Sequence, residues 1–249
     1  MPVNVKFKIK NYLVKLLNFY LVKSKDPLDI LLCKAIALHN NEIAMTILAN
    51  ELDHFYHNTD INKLLKQIKF NELYPQLINS GYKVDVLNYK SPCPWYLNTF
   101  KFWNKRLFLL RHCKIRLDLL ILKKGACIPP HAHRGVVSGF LVLKGMVGIK
   151  HYHVSKYLDD GVICKKTIDQ NLSAGGYTTN HDNRDNIHWL CAKDDESILF
   201  RFNITGLSSP LPEYESLAGR MYVNPSNITS DDEFTSFVGP KDVHNLKFE

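Results

Sequence analysis

Between Asp26 and Ile68 the apolar residues recur every three or four positions, whereas from about Phe100 onward short apolar runs alternate with turn residues. The first pattern predicts helices and the second predicts strands. Asp26-Pro27 opens the first helix, with a capping carboxylate followed by proline at the first helical position. Leu28, Ile30, Leu31, Leu32, Ala35, Ile36 and Leu38 come next at helical spacing. A second helix is expected from Glu42 to Phe55, with Ile43, Ile47, Leu48 and Leu52 on one stripe. A third begins at Thr59-Asp60 and carries Ile61, Leu64, Leu65 and Ile68. Residues 1–84 read as one helical region that ends near Gly81, its helices folding back on each other or on the neighbouring domain.

Residues 85–249 read as a second region. After the loop Ser91-Pro92-Cys93-Pro94, strands are predicted at Leu107–Arg111, Ile115–Lys123, Val137–Lys144, Met146–His153, Val162–Lys166, Asn186–Ala192 and Ser197–Ile204. Turn residues such as Lys144-Gly145, Asp159-Asp160-Gly161 and Ala174-Gly175-Gly176 separate them. Short strands at this spacing predict a sandwich or barrel. The Ser/Pro/Asn-rich tail after Pro210 is expected to wrap the barrel loosely.

Composition fits this outline. The 249 residues are 45% apolar and 22% charged, an ordinary globular balance, and 13 Phe with 12 Tyr suit a β-rich core. The net charge of +8 is concentrated at the start, where Lys6, Lys8, Lys10, Lys15, Lys23 and Lys25 precede the first acidic residue, Asp26. Such an arm can touch nucleic acid or an anionic membrane, but no nucleic-acid motif accompanies it. The reading is a solvated helix face with no nucleic-acid partner. The apolar stretch from Asn11 to Val22 is broken by Lys15 and falls short of the ~20 residues a membrane span needs. It also lacks a secretory cleavage site. Cys33, Cys93, Cys113, Cys127, Cys164 and Cys191 are scattered without a C-x-x-C pair. They read as free thiols in a reducing compartment, which makes the cytoplasm the expected location.

The chemistry is concentrated in the histidines. On an extended strand, residues two apart project to one face, so His131-Ala132-His133 aims two imidazoles into one space. The preceding Pro129-Pro130 disfavours helix there. Two further histidines follow, His181 and His188, and of these rivals for a third ligand His188 sits on the alternating run Asn186–Ala192, as a rigid ligand should. His151 and His153 form another such pair and are expected at the strand surface. Three neutral imidazoles without a carboxylate leave a dication its full charge, so open positions favour an anionic ligand such as a thiolate or enolate. The donors suit Fe(II), Zn, Ni or Cu better than Mg or Ca, and a three-ligand centre is of the catalytic kind.

The spacing Gly125, five residues, His131-x-His133, four residues, Ser138, six residues, Gly145 resembles the first cupin signature, G-x5-H-x-H-x(3,4)-E-x6-G. Ser138 stands where that signature has Glu. The strand around His188, the turn Lys193–Glu196 and the strand Ile198–Phe202 are similar to the second signature, with Asn183-Arg184-Asp185 where P-x-G is expected. The resemblance implies a mainly β fold: a cupin double-stranded β-helix, or jelly-roll barrel, here with an N-terminal α-helical region.

Ile128-Pro129-Pro130-His131-Ala132-His133-Arg134-Gly135-Val136 and Gly145-Met146-Val147-Gly148-Ile149-Lys150-His151-Tyr152 look more narrowly like the three-histidine thiol dioxygenases. The likeness is closest to the cysteamine dioxygenase and plant cysteine oxidase branch, with cysteine dioxygenase beyond it, and covers residues 107–210. It implies His131, His133 and His188 as ligands of Fe(II), with Zn, Ni or Mn as alternatives. It further implies a small-molecule thiol held through sulfur, O2 as co-substrate and a sulfinate product. Ser138 falls where cysteine dioxygenase carries a crosslinked Cys, and Arg106 lies near the distance of a carboxylate-holding Arg; these two are the candidate catalytic positions. Arg134 departs from the branch, which usually has Pro there. Arg116, Arg201 and Tyr222 are the candidate substrate-binding residues. Cupins often pair through barrel edges, so a homodimer is expected. Two other readings stay open: a non-catalytic metal- or ligand-sensing cupin whose helices bind a partner, and a non-redox isomerase or lyase using Mn, Ni or Zn.

Overall fold

A computed structural model describes residues 23, 25–68, 70–72, 74–75, 95–98, 114–209, 211, 220–239 and 242–247, with only the backbone at 95–98 and 244. The basic arm through Lys15, the expected strand Leu107–Arg111, Cys93, Cys113 and Arg106 lie outside the described residues.

Helix α1 spans Pro27–His39 and begins where the sequence places it, with Asp26 Oδ1 accepting from the Leu28 N–H at 2.9 Å. Helix α2 spans Met45–His57, three residues later than expected, because Asn41 turns the chain through a positive φ of 61° after α1. Helix α3, Ile61–Gln67, is capped by Asp60, whose side chain accepts from the Lys63 N–H at 3.1 Å.

Eleven strands come after them among the described residues: β1 Trp95–Asn98, β2 Ile115–Lys123, β3 Cys127–His133, β4 Val137–Lys144, β5 Met146–Tyr157, β6 Gly161–Ser173, β7 Tyr177–His181, β8 Ile187–Ala192, β9 Glu196–Ile204, β10 Arg220–Tyr222 and β11 Glu233–Ser236. They form two antiparallel sheets, ordered β1-β2-β9-β4-β7 and β10-β3-β8-β5-β6-β11. The pairs β2·β9, β3·β8, β4·β7 and β5·β6 are nested, as in one long hairpin rolled up on itself. That is the jelly roll, the double-stranded β-helix that the sequence leads one to expect. The nesting makes residues some sixty positions apart direct neighbours.

The tail departs from expectation. It is not a loose wrap: β10 extends the second sheet beside β3, and β11 closes its other edge beside β6. Three residues is too short a run for its alternation to be read from sequence, and pairing with β3 is what fixes β10.

Alternation gives each sheet two different faces. The odd-numbered positions Ile115, Leu117, Leu119 and Ile121 of β2 point outward. They join Phe200 and Phe202 of β9 and the buried sides of α1, α2 and α3 in one core. The helices therefore cover the outer face of the first sheet. Tyr56 of α2 enters the sheet itself. Its hydroxyl accepts from the Phe202 N–H at 3.1 Å and donates to the Gly139 carbonyl at 2.8 Å, between two residues paired in register. A Cβ at Gly139 would lie 2.8 Å from the Tyr56 ring and 2.9 Å from Leu52, so only glycine leaves room. Burial pushes the Tyr56 hydroxyl pKa upward. No helix among the described residues is long and apolar enough to cross a membrane.

The cysteine expectation needs correction. Cys127 and Cys191, 64 residues apart, are register partners across β3 and β8 and form a disulfide. Sequence spacing sees local pairs only, and this one exists through the nested topology. Cys33 and Cys164 are free.

Candidate metal centre

The proline pair shapes the first ligand strand. β3 lies between β10 and β8, where a proline interrupts the hydrogen-bond ladder, and the register between β3 and β8 shifts between Ile128 and His131, across Pro129-Pro130. After this irregularity His131 stands directly opposite His188, and His188 in turn stands opposite His151 on β5. Tyr222 of β10 pairs with His131 from the other side. A row of four inward residues thus crosses the second sheet.

His131, His133 and His188 each offer a ring nitrogen, and these atoms all lie within 4.8 Å of one another. His131 Nε2 and His133 Nε2 are 3.0 Å apart. Two of the other ring nitrogens meet polar partners. His131 Nδ1 lies 2.7 Å from the Pro129 carbonyl and His188 Nδ1 lies 3.1 Å from the Asn186 carbonyl. A carbonyl only accepts, so His131 Nδ1 carries the proton and its Nε2 presents a bare lone pair, the form in which histidine binds metal, whereas His188 Nδ1 faces both the Asn186 carbonyl and the Asn180 amide nitrogen. His181, the rival third ligand, sits elsewhere: its Nδ1 accepts from the Asn183 N–H at 3.2 Å.

The electrostatics keep the imidazoles neutral. His131 is held well below the usual histidine range by burial first, then by His188 and Arg220. His133 is lowered in the same way. Burial, then His151, brings His188 down to about 3.

The donor set fits a metal ion. Two nitrogens bound at ~2.1 Å and at right angles to one ion lie about 3.0 Å apart, which is the His131–His133 spacing. Three neutral imidazoles gathered around one point inside a barrel are otherwise costly polar groups.

Several positioning residues carry no signal in the sequence. Asn186, just before β8, accepts from the His133 N–H at 3.0 Å and donates to the His133 carbonyl at 2.8 Å, while its own carbonyl holds His188. It ties the two ligand strands together. The Asn180 amide of β7 lies 3.0 Å from His188 Nδ1. Asp182 accepts from the Gly135 and Val136 N–H groups at 2.9 and 3.2 Å, shaping the loop after His133. Two of these are asparagines, which sequence reasoning assigns to turns.

His151 requires a correction. Expected at the surface, it is fully buried beside His188, with ring centroids 6.1 Å apart, and lies 3.1 Å from the Thr178 hydroxyl. The inward phase of β5 decides this, and i,i+2 spacing alone cannot say which face a pair takes. His153, two residues on, is only partly buried.

The remaining candidates divide. Ser138 is buried on β4, and its hydroxyl donates to the Phe202 carbonyl at 3.3 Å. Tyr222 is buried with its ring centroid 5.9 Å from that of His131. Arg201 of β9 donates from Nε to Asp118 at 3.1 Å, and its Nη2 closes an ion pair with the same carboxylate. Arg116 is exposed at the start of β2. Arg106 is outside the described residues.

The chain matches no protein-family profile and no curated protein sequence. Among solved structures it is similar to a cupin superfamily protein from Desulfitobacterium hafniense, at 10% identity and a TM-score of 0.30, covering 48% of this chain and 84% of that one. Procruciferin, an 11S globulin from Brassica napus, shows 13% identity and a TM-score of 0.37 over 52% of this chain and 28% of its own. An oxalate oxidase shows 14% identity and a TM-score of 0.34 over 49% of this chain and 55% of its own. The likeness is one of fold, and no residue role is carried over from these proteins.

Proposed function

We propose that the chain is an Fe(II)- and O2-dependent dioxygenase that converts a small thiol to its sulfinate. The observation that carries this reading is the set of three neutral imidazoles, without a carboxylate, whose ring nitrogens lie within 4.8 Å of one another. His131, His133 and His188 would hold the ion. Bound there, it would supply the redox chemistry by which RSH and O2 combine to give RSO2H, so that both oxygen atoms end on sulfur and no other reductant is consumed.

The chain's own residues prepare that chemistry. An all-imidazole set adds no negative charge, so a thiolate is favoured at the positions the protein leaves open. The Pro129 carbonyl keeps the proton on His131 Nδ1 and so leaves His131 Nε2 free to ligate. Asn186 and Asn180 hold ring orientation, as partners outside a metal's immediate ligands do. Burial behind the jelly-roll sheets keeps bulk water from the reacting sulfur.

The test is anaerobic loading of the purified protein with Fe(II), Mn(II), Ni(II) and Zn(II), then oxygen-uptake assays with cysteine and cysteamine. The expected result is one O2 consumed per thiol with Fe(II) alone, and a product heavier by two oxygen atoms in mass spectrometry. Stoichiometric zinc with no oxygen uptake under any loading would overturn the reading in favour of a non-redox or sensing role.

A further inference from the structure

Two polar side chains three residues apart, and so on one side of the helix, tie α2 to the barrel. Tyr56 enters the ladder between β4 and β9. Asp53 reaches β7 and the hairpin that follows it. Its Oδ1 accepts from the Thr179 hydroxyl at 2.7 Å, and its Oδ2 accepts from Arg184 Nη2 at 3.0 Å. Arg184 Nη2 also donates to the Thr179 hydroxyl, so the three side chains form one closed network. The side chains of Arg184 and Asp53 are 36% and 33% exposed. An ion pair this open adds little to stability, so its consequence lies in what it holds.

Thr179 and Arg184 stand on the two arms of one tight hairpin. His181 and Arg184 exchange backbone hydrogen bonds, both at 3.0 Å, with Asp182-Asn183 at the tip. Thr179 directly precedes Asn180, and Arg184 comes two residues before Asn186. These are the two asparagines that meet His188 Nδ1, through the Asn180 amide at 3.0 Å and the Asn186 carbonyl at 3.1 Å. Asn186 also brackets the backbone of His133. Alternation along β7 sends Asn180 into the barrel and Thr179 outward to the helix. One carboxylate thus grips both arms of the hairpin, within two residues of each asparagine.

We propose that Asp53 is a positioning residue for the metal centre. From α2 it locks the two arms of the hairpin against each other, and through Asn180 and Asn186 it sets the ring of His188 and its place relative to His133. The helix is a suitable reference because it is fixed independently: Leu52 is buried in the core between helices and sheet, and Tyr56 is bonded to both β4 and β9. A ligand set tolerates displacements of only about 0.5 Å, so a clamp that adds little to folding still matters to ligation. The helical layer therefore does more than cover an apolar sheet. This inference rests on the reading of His131, His133 and His188 as a metal centre; it requires neither iron nor a thiol.

The test measures Co(II) affinity of the full-length chain by competition with a chromophoric chelator, together with the Co(II) absorption spectrum. Asp53→Ala should weaken binding about tenfold, the lower end of the range for partners outside a metal's ligands, and should alter the spectrum. The denaturant midpoint of the metal-free variant should stay close to wild type. Asp53→Asn, which keeps one acceptor oxygen, should fall between the two. Combining Asp53→Ala with Arg184→Met should lose less affinity than the two single losses together, because both act on one network. Lys166→Ala, which breaks the exposed Lys166–Asp169 pair on β6, should change nothing. In metal-free protein, Asp53→Ala should move the ring 15N signals of His188 more than those of half-buried His153, and this readout decides even if the wild type takes up no Co(II). Wild-type affinity and wild-type His188 signals in Asp53→Ala would overturn the proposal, as would an equal affinity loss in Lys166→Ala. Should Asp53→Ala fail to fold by circular dichroism, Asp53→Asn and Arg184→Met carry the same test. Absence of Fe(II)-dependent oxygen uptake alongside the affinity loss would sink the dioxygenase reading alone.

Discussion

At one end of the barrel interior Leu120, Leu122, Ile128, Phe140, Val142, Ile149, Leu190 and Leu199 close on one another. At the other end, two to four residues along the same strands, stand Asp118, His131, Ser138, His151, His188, Arg201 and Asn203. β8 alone shows the change, passing from His188 to Leu190 to Ala192 on one inward face. Alternation decides which side chains point in, and position along the strand decides which end they serve. The packed end fixes the strands, and the polar end uses their rigidity to hold imidazoles within bonding distance of one point.

The sharpest way to break this comparison is to remove a ligand from the polar end. His131→Ala should lower metal affinity by more than about 100-fold, beyond the 10–100-fold typical of losing a partner outside the ligand set. Metal analysis of protein purified in parallel with wild type checks it. The fold should persist, because no apolar core contact is lost. Wild-type metal stoichiometry in this variant would mean that the polar end is not a metal centre.

The packed end should show the reverse. Leu199 is fully buried and lies on a strand without a histidine. Leu199→Ala should cost about 2–5 kcal/mol in chemical denaturation, as cavity-forming core substitutions do, and should leave metal affinity within a few-fold of wild type. A stability loss below about 1 kcal/mol would show that this end is not packed as tightly as its burial indicates.

This division also explains what the sequence makes legible. β2 and β4 are readable from their long apolar runs, and α1 and α3 from apolar faces behind the caps Asp26 and Asp60, whereas α2, with Ala44 at its N-cap and no side-chain cap, is placed three residues early. The triad is readable because His131-x-His133 sits at the spacing of the first cupin signature and His188 on a strand similar to the second, with His181 left as a rival until the strands are placed. Asn180 and Asn186 are not readable: their roles exist only once nested strands bring residues from opposite ends of the domain together. β10 and the Cys127–Cys191 bridge escape notice for the same reason. Tyr56 escapes because nothing local marks a helix tyrosine that will enter a β ladder.

That tyrosine sharpens the comparison from outside. It satisfies Gly139 and Phe202 on the face opposite Ser138 and Asn203. Tyr56→Phe strands a buried N–H and a buried carbonyl and should cost about 1–3 kcal/mol. The measurement is the shift in denaturant midpoint with unchanged m-value. If α2 serves only as a cover, metal affinity should not move; a drop of tenfold or more would mean that the helix helps set the polar end.

The smallest expected effect separates the two ends by pH. His151 is brought down to about 3 by burial and then Arg184, and His188 to about 3 by burial and then His151. In the unfolded chain both titrate near ~6.5. Between these values the unfolded state binds protons that the native state refuses, so stability rises with pH across the window and is lost as pH falls from about 6.5 toward 3. Each such histidine contributes about 1.4 kcal/mol per pH unit below ~6.5. The packed end contributes no titrating group, so the slope belongs to the polar end. Denaturation of metal-free protein between about pH 7 and pH 5, above most carboxylate titration, isolates it. His151→Leu should flatten the slope by roughly one proton's worth, and a slope identical to wild type would show that His151 is not among the groups that titrate.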